Sequence, residues 1–436
     1  MLRNLCFCLS LLAISAARAA EAPDCYVGSY RLGNGKMIDI APSDNGTLRW
    51  RRLDGTTGAL HHLPDGKWRS TAGWSDKPDG IAVSFSGCGG AIRFGSLSGT
   101  RMAFDETNTS FTSHGTRLIG RLVLPEGEGK VPVVVLVHGS ENDSALTSYS
   151  LQRMLPAEGI GAFVYDKRGT GKSGGVYTQD FNVLADDAVA AMREARRLAG
   201  PRLGRIGYQG GSEGGWVAPL AANRAPVDFV IVSFGLAVNV IDEDQQSVDI
   251  QLRERGYSPA EIAQAKEVAA AAENVFASDF TSGYKELDAL RAKYKHAPWY
   301  KDLRGDYTWM LLPHSEAELR AMAPKYHWHT PFHYDPMPTL RAGKTPELWI
   351  LGGEDYQAPS AETSRRIKQL ITDGRPFTLA LYPHAEHGMT LFDTAPNGDR
   401  ISTRYAAGYF TMMRDFARDG RLRGTYGDAE LTRSGN

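Results

Sequence analysis

The chain has 436 residues, 42% of them hydrophobic, and its 49 lysines and arginines nearly balance its 50 aspartates and glutamates. That length and apolar content suffice for a large core shared between two domains. Because the sequence contains no basic stripe and no block of like charge, we exclude nucleic acid as a partner and predict no charged interaction tail. A globular protein of nearly neutral charge is the class that remains.

Residues 1–20 have the pattern of a removable secretory signal peptide. Arg3 gives the start a positive charge, residues 5–14 form an apolar core, and residues 17–19 (Ala-Arg-Ala) are a small-residue cleavage site. The sequence therefore predicts an exported protein, periplasmic or secreted. Since the apolar run is too short to span a bilayer, we expect no stable membrane insertion.

Cys25 and Cys88 are the cysteines that remain once the signal peptide is removed. Export to an oxidising compartment favours a disulfide between them, with two buried free thiols as the alternative. A bridge across so long a loop stabilises the folded chain by roughly 4 kcal/mol if it acts through chain entropy. We expect this bond to hold the N-terminal region together and to take no part in chemistry.

Residues 21–110 show short alternating apolar and polar runs separated by turn signals at regular spacing. The turn dipeptides are Asn34-Gly35, Asn45-Gly46, Asp54-Gly55, Asp65-Gly66 and Asp79-Gly80. This pattern predicts a small antiparallel β domain, either a sandwich or an open barrel. Its tryptophans, Trp50, Trp68 and Trp74, are expected to pack in the core, with a carbohydrate or cell-envelope site as the alternative.

From residue 111 the pattern changes to buried strands alternating with helices, which is typical of an α/β domain. The β-branched run at residues 131–137 ends in His138-Gly139-Ser140, as a buried parallel strand does before a loop. A second strand is predicted at residues 162–165 and a helix at residues 183–198. We assign residues 111–236 to the first part of this domain.

Residues 169–174 fit the pattern G-x-G-x-x-G and follow the strand at 162–165, so a dinucleotide site has to be weighed. That motif opens a helix directly, whereas here residues 175–177 prolong the loop. The related phosphate-loop pattern needs glycine at the position where this chain has Asp166. We therefore predict a plain turn after a strand, with Asp166 and Arg168 paired, and no nucleotide cofactor.

The most informative motif is the pentapeptide Gly210-Gly211-Ser212-Glu213-Gly214, which follows an apolar run and precedes a helix rich in alanine. A serine at the tip of so tight a strand-to-helix turn needs neighbours without side chains, because its backbone is strained. The turn exposes the hydroxyl and directs the next N–H to the same side. In this context the G-x-S-x-G pattern predicts a nucleophile elbow.

Residues 237–341 form an insertion with helical periodicity between two predicted strands at 229–234 and 346–352. The helices are predicted at residues 259–276, 284–294 and 315–322. An insertion at this point is expected to cover the carboxyl ends of the strands as a cap. Its aromatic residues Trp299, Trp309 and Trp328 are candidates for an acyl or aryl pocket, and packing within the cap is the alternative.

Three histidines, His327, His329 and His333, lie in a proline-containing segment of the cap. Alternate residues of an extended segment share one face, which is an arrangement that metal sites use. Four-coordinate sites also need further ligands in ordered geometry, and the prolines indicate a loop. We predict no metal here.

Strands at residues 346–352 and 377–382 belong to residues 342–420, which we assign to the second part of the α/β domain. The first strand precedes Asp355 and the second precedes His387. The chain order is therefore serine, acid, histidine, as in α/β-hydrolases. Residues 421–436 are polar and are predicted to be a frayed tail.

The region from residue 111 to residue 416 resembles the α/β-hydrolase-fold serine esterases of bacteria and, more distantly, the prolyl-oligopeptidase-type serine peptidases. The motifs that carry this resemblance are VVVLVHGS, FVYDKRGTGKSGG, GYQGGSEGG, LWILGGEDYQAP and YPHAEHGM. The resemblance implies an α/β-hydrolase fold, to which the residue patterns add a helical cap insertion and a small N-terminal all-β domain. Such motifs are specific for the fold and indicate almost nothing about the substrate.

The resemblance also implies a role for five residues. The nucleophile falls on Ser212, the acid on Asp355 and the base on His387. The oxyanion hole would consist of the backbone N–H groups of Glu213 and Ser140.

Each member of this triad has a rival of the same chemistry nearby. Ser140 and Ser173 compete for the nucleophile, Glu354 for the acid and His384 for the base. The flanking glycines favour Ser212. The acid is favoured by the D-x-Q-x-P run that begins at Asp355, and the base by the glycine that follows His387.

Together these features predict an exported serine hydrolase that cleaves a small-molecule carboxylic ester through an acyl-enzyme intermediate, without a metal or organic cofactor. A serine peptidase or amidase with the same triad is the first alternative. An envelope-binding protein with an idle hydrolase domain is the second, and the intact triad argues against it. The sequence leaves the acyl chain, the leaving group and the oligomeric state open.

Overall fold

The structure, a computed structural model, describes residues 23–88 and 90–433. The predicted signal peptide at residues 1–20 lies outside the described residues. Within them, the chain forms a small barrel followed by a large mixed sheet with helices on both faces.

Eight antiparallel strands close into the barrel, because the first strand pairs with the last as well as with its neighbour. They are β1 (Gly28–Leu32), β2 (Met37–Pro42), β3 (Leu48–Arg51), β4 (Thr57–His62), β5 (Trp68–Ala72), β6 (Pro78–Ser86), β7 (Ala91–Phe94) and β8 (Leu97–Arg101). Trp50 and Trp68 are buried in its apolar core, whereas Trp74 is 40% exposed. The predicted small antiparallel β domain is present, and closure removes the free sheet edges that an open barrel would leave.

The predicted disulfide is confirmed. Cys25 and Cys88 are bonded, with their Cα atoms 5.1 Å apart. The bond ties the segment before β1 to the turn that follows β6, which lie far apart in sequence.

Nine strands form the large sheet, in the spatial order β19-β16-β15-β14-β13-β11-β12-β10-β9. In chain order they are β9 (Phe104–Ser113), β10 (Thr116–Pro125), β11 (Val131–Val137), β12 (Gly161–Tyr165), β13 (Leu203–Gly211), β14 (Phe229–Ser233), β15 (Glu347–Gly352), β16 (Phe377–Tyr382) and β19 (Glu430–Arg433). A separate two-stranded ribbon consists of β17 (Thr390–Thr394) and β18 (Arg400–Tyr405).

The sheet has a parallel centre and antiparallel edges. Strands β11 to β16 pair in parallel, while β10 runs antiparallel to β12. Strand β12 lies between β10 and β11, and from β13 to β16 each strand lies next to the one that follows it in the chain. This is the strand order of the α/β-hydrolase fold. The predicted fold class is confirmed.

The predicted frayed tail is wrong for residues 430–433. Strand β19 pairs antiparallel with β16, from Thr378 opposite Arg433 to Leu381 opposite Glu430. The backbone groups at the edge of β16 would otherwise face solvent, and the added strand satisfies them. Polar composition alone does not show this pairing, since an edge strand can be polar.

Twelve α-helices surround the sheet or form the cap in the described part of the chain. They are α1 (Ala145–Ser148), α2 (Leu151–Met154), α3 (Phe181–Ala199), α4 (Gly214–Arg224), α5 (Val240–Glu254), α6 (Pro259–Ala277), α7 (Tyr284–Tyr294), α8 (Thr308–Leu311), α9 (Glu316–Met322), α10 (Met337–Ala342), α11 (Ser360–Thr372) and α12 (Tyr409–Asp419). Helices α3, α4 and α11 pack on one face of the sheet, and α1, α2 and α12 on the other. None of the helices in the described residues is long and apolar enough to cross a membrane.

Helices α5 to α10 form the cap between β14 and β15. Helix α6 begins where the sequence indicates, with Pro259 in its first turn and a capping box between Ser258 and Glu261. Its buried alanines pack against α5 and α7, in one core that is continuous with the sheet. The cap is therefore fixed firmly to the domain that it covers. Helix α5 was not predicted, because its face toward the core includes the buried acids Glu243 and Asp244.

Candidate active site

Ser212 stands at the sharp turn from β13 into α4. Its φ of 52° lies in the left-handed region, which is strained for a residue with a side chain. The flanking glycines make the turn feasible: a Cβ at Gly210 would lie 2.1 Å from the carbonyl oxygen of Gly214, and a Cβ at Gly214 would lie 2.8 Å from that of His138. The segment therefore has the geometry of a nucleophile elbow.

His387 and Asp355 form a hydrogen-bonded pair at the carboxyl ends of neighbouring strands. The His387 Nδ1 lies 2.9 Å from Asp355 Oδ2. The other carboxylate oxygen of Asp355 accepts hydrogen bonds from the N–H groups of Gln357, at 3.0 Å, and Ala358, at 2.8 Å. Asp355 is 2% exposed, so its orientation is set by these contacts and not by solvent. Nδ1 then carries the proton, which leaves Nε2 as the basic nitrogen.

The environment of His387 raises its pKa above the ordinary value. Burial acts to lower it, but the charge of Asp355 and the hydrogen bond to that carboxylate outweigh burial, and Asp306 adds to the increase. The ring of Phe234 packs edge-on against the imidazole, with centroids 4.9 Å apart. The base is thus held by one polar and one apolar contact.

Ser212 and His387 line the same two cavities. No hydrogen bond joins the serine hydroxyl to the imidazole in the described part of the chain. Such bonds are commonly long in free enzymes and shorten when substrate is bound. The structure therefore brings the three residues to one place, with the acid and base already paired.

The two expected oxyanion donors lie beside this cluster. Ser140 and Glu213 both line the cavity that contains Ser212. Within residues 23–88 and 90–433, neither backbone N–H donates a hydrogen bond to another protein group. Glu213 also precedes the first turn of α4, where the helix dipole favours negative charge.

A buried ion pair that the sequence did not reveal connects the two oxyanion segments. Lys167 Nζ lies 2.8 Å from Glu213 Oε1 and 2.7 Å from the carbonyl oxygen of Gly139, which precedes Ser140. Burial raises the pKa of Glu213 to about 7, although Lys167 acts against that increase. Breaking one side of such a pair costs about 3–5 kcal/mol, because the other charge is left buried.

The rival acid and base form a separate pair at the surface. His384 Nδ1 lies 3.2 Å from Glu354 Oε1, and the two side chains are 72% and 40% exposed. The third rival, Ser173, donates a hydrogen bond to the carbonyl oxygen of Asp166 and accepts one from the N–H of Ile119. The Ser173 hydroxyl therefore fixes the loop that follows β12 to strand β10.

The predicted pairing of Asp166 with Arg168 is wrong. Arg168 pairs with Asp187 on helix α3, through two hydrogen bonds. Asp166 instead accepts hydrogen bonds from Ser144 and from the N–H groups of Leu146 and Lys172. The loops of neighbouring strands lie close to an acid that directly follows a buried strand. Asp166 therefore finds its partners in those loops, and nearness in sequence does not make Arg168 its partner.

One cavity of about 410 Å³ lies between Ser212 and the cap. Its lining includes the acids Glu141, Glu213, Glu243 and Asp306, with the aromatic residues Tyr177, Phe181, Trp216, Tyr307 and Trp328. Acidic side chains thus lie among the aromatic residues on the side of Ser212 where the sequence predicts an acyl pocket.

A second cavity of about 650 Å³ reaches Ser212 from the side of the barrel. Its aromatic lining residues come from three parts of the chain: Trp74 from the barrel, Tyr149 and Phe234 from loops of the sheet, and Tyr405, Tyr409 and Phe410 from the region after β17. Two backbone hydrogen bonds hold the barrel against the ribbon strand β18. The N–H of Trp74 donates to the carbonyl oxygen of Ser402 at 2.9 Å, and the N–H of Tyr405 donates to the carbonyl oxygen of Gly55 at 2.9 Å.

Of the three predicted pocket tryptophans, only Trp328 lines the cap cavity. The prediction is wrong for Trp299, which is 1% exposed and packs against Tyr294 and Tyr300 inside the cap. It is also wrong for Trp309, which is 53% exposed and lies outside both cavities that contain Ser212. Only one side of the cap faces the sheet, so tryptophans at different places in the cap lie in the cavity, inside the cap or at the surface.

One group of three side chains could hold a metal among the residues described. Donor atoms of Asp279, His327 and His329 lie within 4.8 Å of one another, and all three residues are exposed. His333 is not part of this group. His327 Nδ1 already pairs with Asp279 Oδ2 at 2.9 Å. The group lies away from Ser212 and lines neither of the two cavities.

Comparison with known families gives one match. Residues 130–248 match the serine aminopeptidase family S33. The matched segment runs from β11 through the elbow and into helix α5. None of the curated proteins matches the sequence.

Several solved structures are similar. An esterase of Pyrococcus furiosus is 15% identical over 65% of this chain and 84% of its own, with a TM-score of 0.41. The acylaminoacyl peptidase of Pyrococcus horikoshii is 16% identical over 87% of this chain and 55% of its own, with a TM-score of 0.43. A hypothetical protein of Pseudomonas aeruginosa is 16% identical over 73% of this chain and 94% of its own, with a TM-score of 0.41. The chain spans about half the length of the acylaminoacyl peptidase.

Proposed function

We propose that this chain, which has the α/β-hydrolase fold of esterases and peptidases, is an exported serine hydrolase that cleaves carboxylic esters. The observation that carries the proposal is the strained backbone of Ser212 at the elbow, with the paired His387 and Asp355 lining the same cavity. Strain of this kind at a buried turn is retained where it serves a function.

In the first half of the proposed reaction, Ser212 attacks the acyl carbon while Nε2 of His387 takes the hydroxyl proton. Asp355 holds the imidazole in the tautomer that leaves Nε2 free and stabilises the imidazolium that forms. The negative charge on the acyl oxygen is received by the N–H groups of Glu213 and Ser140. His387 then protonates the leaving alcohol, and the acyl group remains on Ser212.

In the second half, water enters where the alcohol has left and gives a proton to His387 as it attacks the acyl-enzyme. Collapse of the second oxyanion breaks the bond to Ser212, which recovers its proton from the imidazolium. Every step uses side chains and backbone groups of this chain. We therefore propose hydrolysis without a metal or organic cofactor.

A peptidase or amidase with the same triad is the alternative. It would need His387 to protonate an amine leaving group, and a groove for a longer substrate. The family match to serine aminopeptidases and the likeness to an acylaminoacyl peptidase keep this alternative in view.

Two experiments test the proposal. A fluorophosphonate probe should label the purified protein at Ser212, and Ser212→Ala should not be labelled; labelling that persists in Ser212→Ala would place the nucleophile elsewhere. A panel of p-nitrophenyl esters and peptide p-nitroanilides then compares kcat/KM for esters and amides. Because serine peptidases also cleave activated esters faster than anilides, the decisive result is anilide cleavage that Ser212→Ala abolishes, which would favour the peptidase.

Export is proposed on the signal-peptide pattern, with the disulfide between Cys25 and Cys88 in support, since such bonds persist in oxidising compartments. Cell fractionation with N-terminal sequencing tests this point. Intact protein in the cytoplasm, with residue 1 still present, would contradict it.

A further inference from the structure

Three side chains with metal-binding chemistry meet at the surface of the cap. One donor atom each from Asp279, His327 and His329 lies within 4.8 Å of the other two, and all three residues are exposed. The prediction of no metal in this segment rested on the lack of further ligands beside the histidines. Asp279, which follows helix α6 far earlier in the chain, is such a ligand and becomes adjacent only in the folded cap.

The donor set suits a transition-metal ion. Zn²⁺ is bound by imidazole nitrogen and carboxylate oxygen together, and three protein ligands with water in the fourth position is one of its known arrangements. Tetrahedral bonds of about 2.0–2.2 Å place neighbouring donor atoms about 3.3 Å apart. Nδ1 of His327 lies 2.9 Å from Oδ2 of Asp279. The wider separations, up to 4.8 Å, need shifts of about 1.5 Å or less to reach this geometry, which exposed side chains make by rotation.

The two segments that carry these ligands are already packed together. Phe280, next to Asp279, is buried and stacks on Tyr326, next to His327, with ring centroids 5.9 Å apart. The N–H of Asp279 donates to the carbonyl oxygen of Phe276 at 2.8 Å, which fixes the turn to helix α6. Because no loop has to be ordered first, little conformational entropy is lost when an ion binds.

Two of the three ligands have a backbone in the left-handed region. The φ angle is 56° at Asp279 and 56° at His329. Aspartate and histidine enter this region more readily than most residues, but the conformation still costs free energy, and it persists where the surroundings fix it. The imidazoles of His327 and His329 lie edge to face with centroids 4.2 Å apart. No hydrogen bond or ion pair from the described part of the chain reaches the His329 ring, so its nitrogens are available to an ion.

The residue between the two histidines belongs to the active-site cavity. Trp328 lines that cavity together with Ser212, and its carbonyl oxygen accepts a hydrogen bond from the N–H of Gln179 at 2.6 Å. The histidines that flank it are at the surface. An ion held by His327 and His329 would therefore fix this wall of the cavity from the outside.

We propose that Asp279, His327 and His329 bind Zn²⁺, with water as the fourth ligand, and that the ion holds Trp328 in the wall of the cavity. The ion takes no part in the reaction steps described above, because its ligands line neither cavity that contains Ser212. The inference goes beyond the proposed function and does not depend on it.

Calorimetric titration with ZnCl₂ at neutral pH tests the site, on metal-free protein purified without a histidine tag. We expect one tight site per chain. His327→Ala, His329→Ala and Asp279→Asn should each weaken binding at that site by at least about 10- to 100-fold, the loss that removal of an outer-shell partner alone causes. The matched control is His333→Ala, an exposed histidine of the same segment outside the group, and it should keep the affinity.

Hydrogen–deuterium exchange tests the effect of the ion on Trp328. With free Zn²⁺ at about 100 times its Kd, exchange in residues 327–330 should slow by up to about 100-fold, since openings that release the ion are disfavoured by that factor. The same concentration of Mg²⁺, which is bound poorly by imidazole, should have no effect. In His329→Ala the slowing by Zn²⁺ should be lost.

Absence of binding would overturn the site, and so would an affinity that survives in the double variant His327→Ala/His329→Ala. Unchanged exchange in residues 327–330 would overturn the role of the ion in holding Trp328. Thermal melting without zinc shows whether each variant is folded, and the exposed positions of the three ligands favour folded variants. Neither readout uses turnover, so failure of the proposed ester hydrolysis would leave both results interpretable.

Discussion

The two cavities that meet at Ser212 differ in their acidic side chains. The cap cavity, of about 410 Å³, is lined by four acids, whereas the barrel-side cavity, of about 650 Å³, is lined by one, Glu141, together with six aromatic rings. The sheet supplies the candidate triad to both. The cap supplies Glu243 and Asp306 to one, and the barrel supplies Trp74 to the other.

This difference indicates that the sheet and the parts of the chain around it have separate roles. Residues at the carboxyl ends of the strands are held by the parallel sheet, which gives them the rigidity that the chemistry needs. The cap and the barrel contribute surface and charge, which we expect to distinguish one substrate from another. The comparison predicts that an apolar part of the substrate lies on the barrel side of Ser212.

The largest effect is expected from replacing Ser212, which lines both cavities. Ser212→Ala should lower kcat by about 10⁴- to 10⁶-fold for short and long esters alike, because the oxyanion donors alone give little catalysis. The measurement is steady-state hydrolysis of p-nitrophenyl esters, with circular dichroism as the control for folding. A variant that kept a tenth of the activity on either ester would place the nucleophile at another residue.

The next effect distinguishes the pair of Asp355 and His387 from the exposed pair of Glu354 and His384. Asp355→Asn should lower kcat by about 10⁴-fold, because it favours the wrong tautomer of His387. Glu354→Gln, in the surface pair, should cost less than about tenfold.

The same comparison applies to the bases. His387→Ala should be severe and His384→Ala should be mild, as judged by kcat/KM on one short ester. A severe loss in His384→Ala with a mild loss in His387→Ala would reverse the assignment of the two histidines.

A smaller effect tests whether the barrel side receives the apolar part. Trp74→Ala should lower kcat/KM for long-chain p-nitrophenyl esters relative to short ones by about tenfold, the low end of what one methylene gives in an apolar pocket. Trp309→Ala is the matched control, since Trp309 is also exposed but lies outside both cavities. Chain-length profiles that superimpose on the unmodified protein would remove the barrel from substrate binding.

The smallest effect is on the pH profile. The base must be neutral, so kcat/KM for a neutral ester should fall as pH drops through the pKa of His387, which is raised above 6.5. Asp306→Asn removes one carboxylate that raises this pKa, and the acid limb should move to lower pH. Movement to higher pH, or none, would show that Asp306 does not act on the imidazole.

Much of the secondary structure could be predicted from residue patterns. The strands at residues 131–137 and 377–382 and the helix at 284–294 have the predicted bounds. Continuous β-branched runs and helical periodicity are strong signals because they reflect burial of one whole element. The failures lie where patterns are weak, as in helix α5 with its buried acids and in the polar edge strand β19.

In the candidate site, too, some residues could be recognised from the sequence and others could not. The elbow glycines could be recognised because local backbone sterics demand them, wherever the segment lies in the fold. Lys167 gave no signal, since its partner Glu213 is distant in sequence and becomes adjacent only when β12 and β13 lie in one sheet.

What the sequence by itself determined is therefore local: which segments are strands, which turn can carry a strained serine, and in which order serine, acid and histidine follow. Tertiary structure decided which side chains share a cavity. It placed Trp328 in the cavity with Ser212 and buried Trp299 inside the cap. The physical reason is that periodicity encodes how one element is buried, whereas pairing and charge compensation depend on elements that meet only after folding.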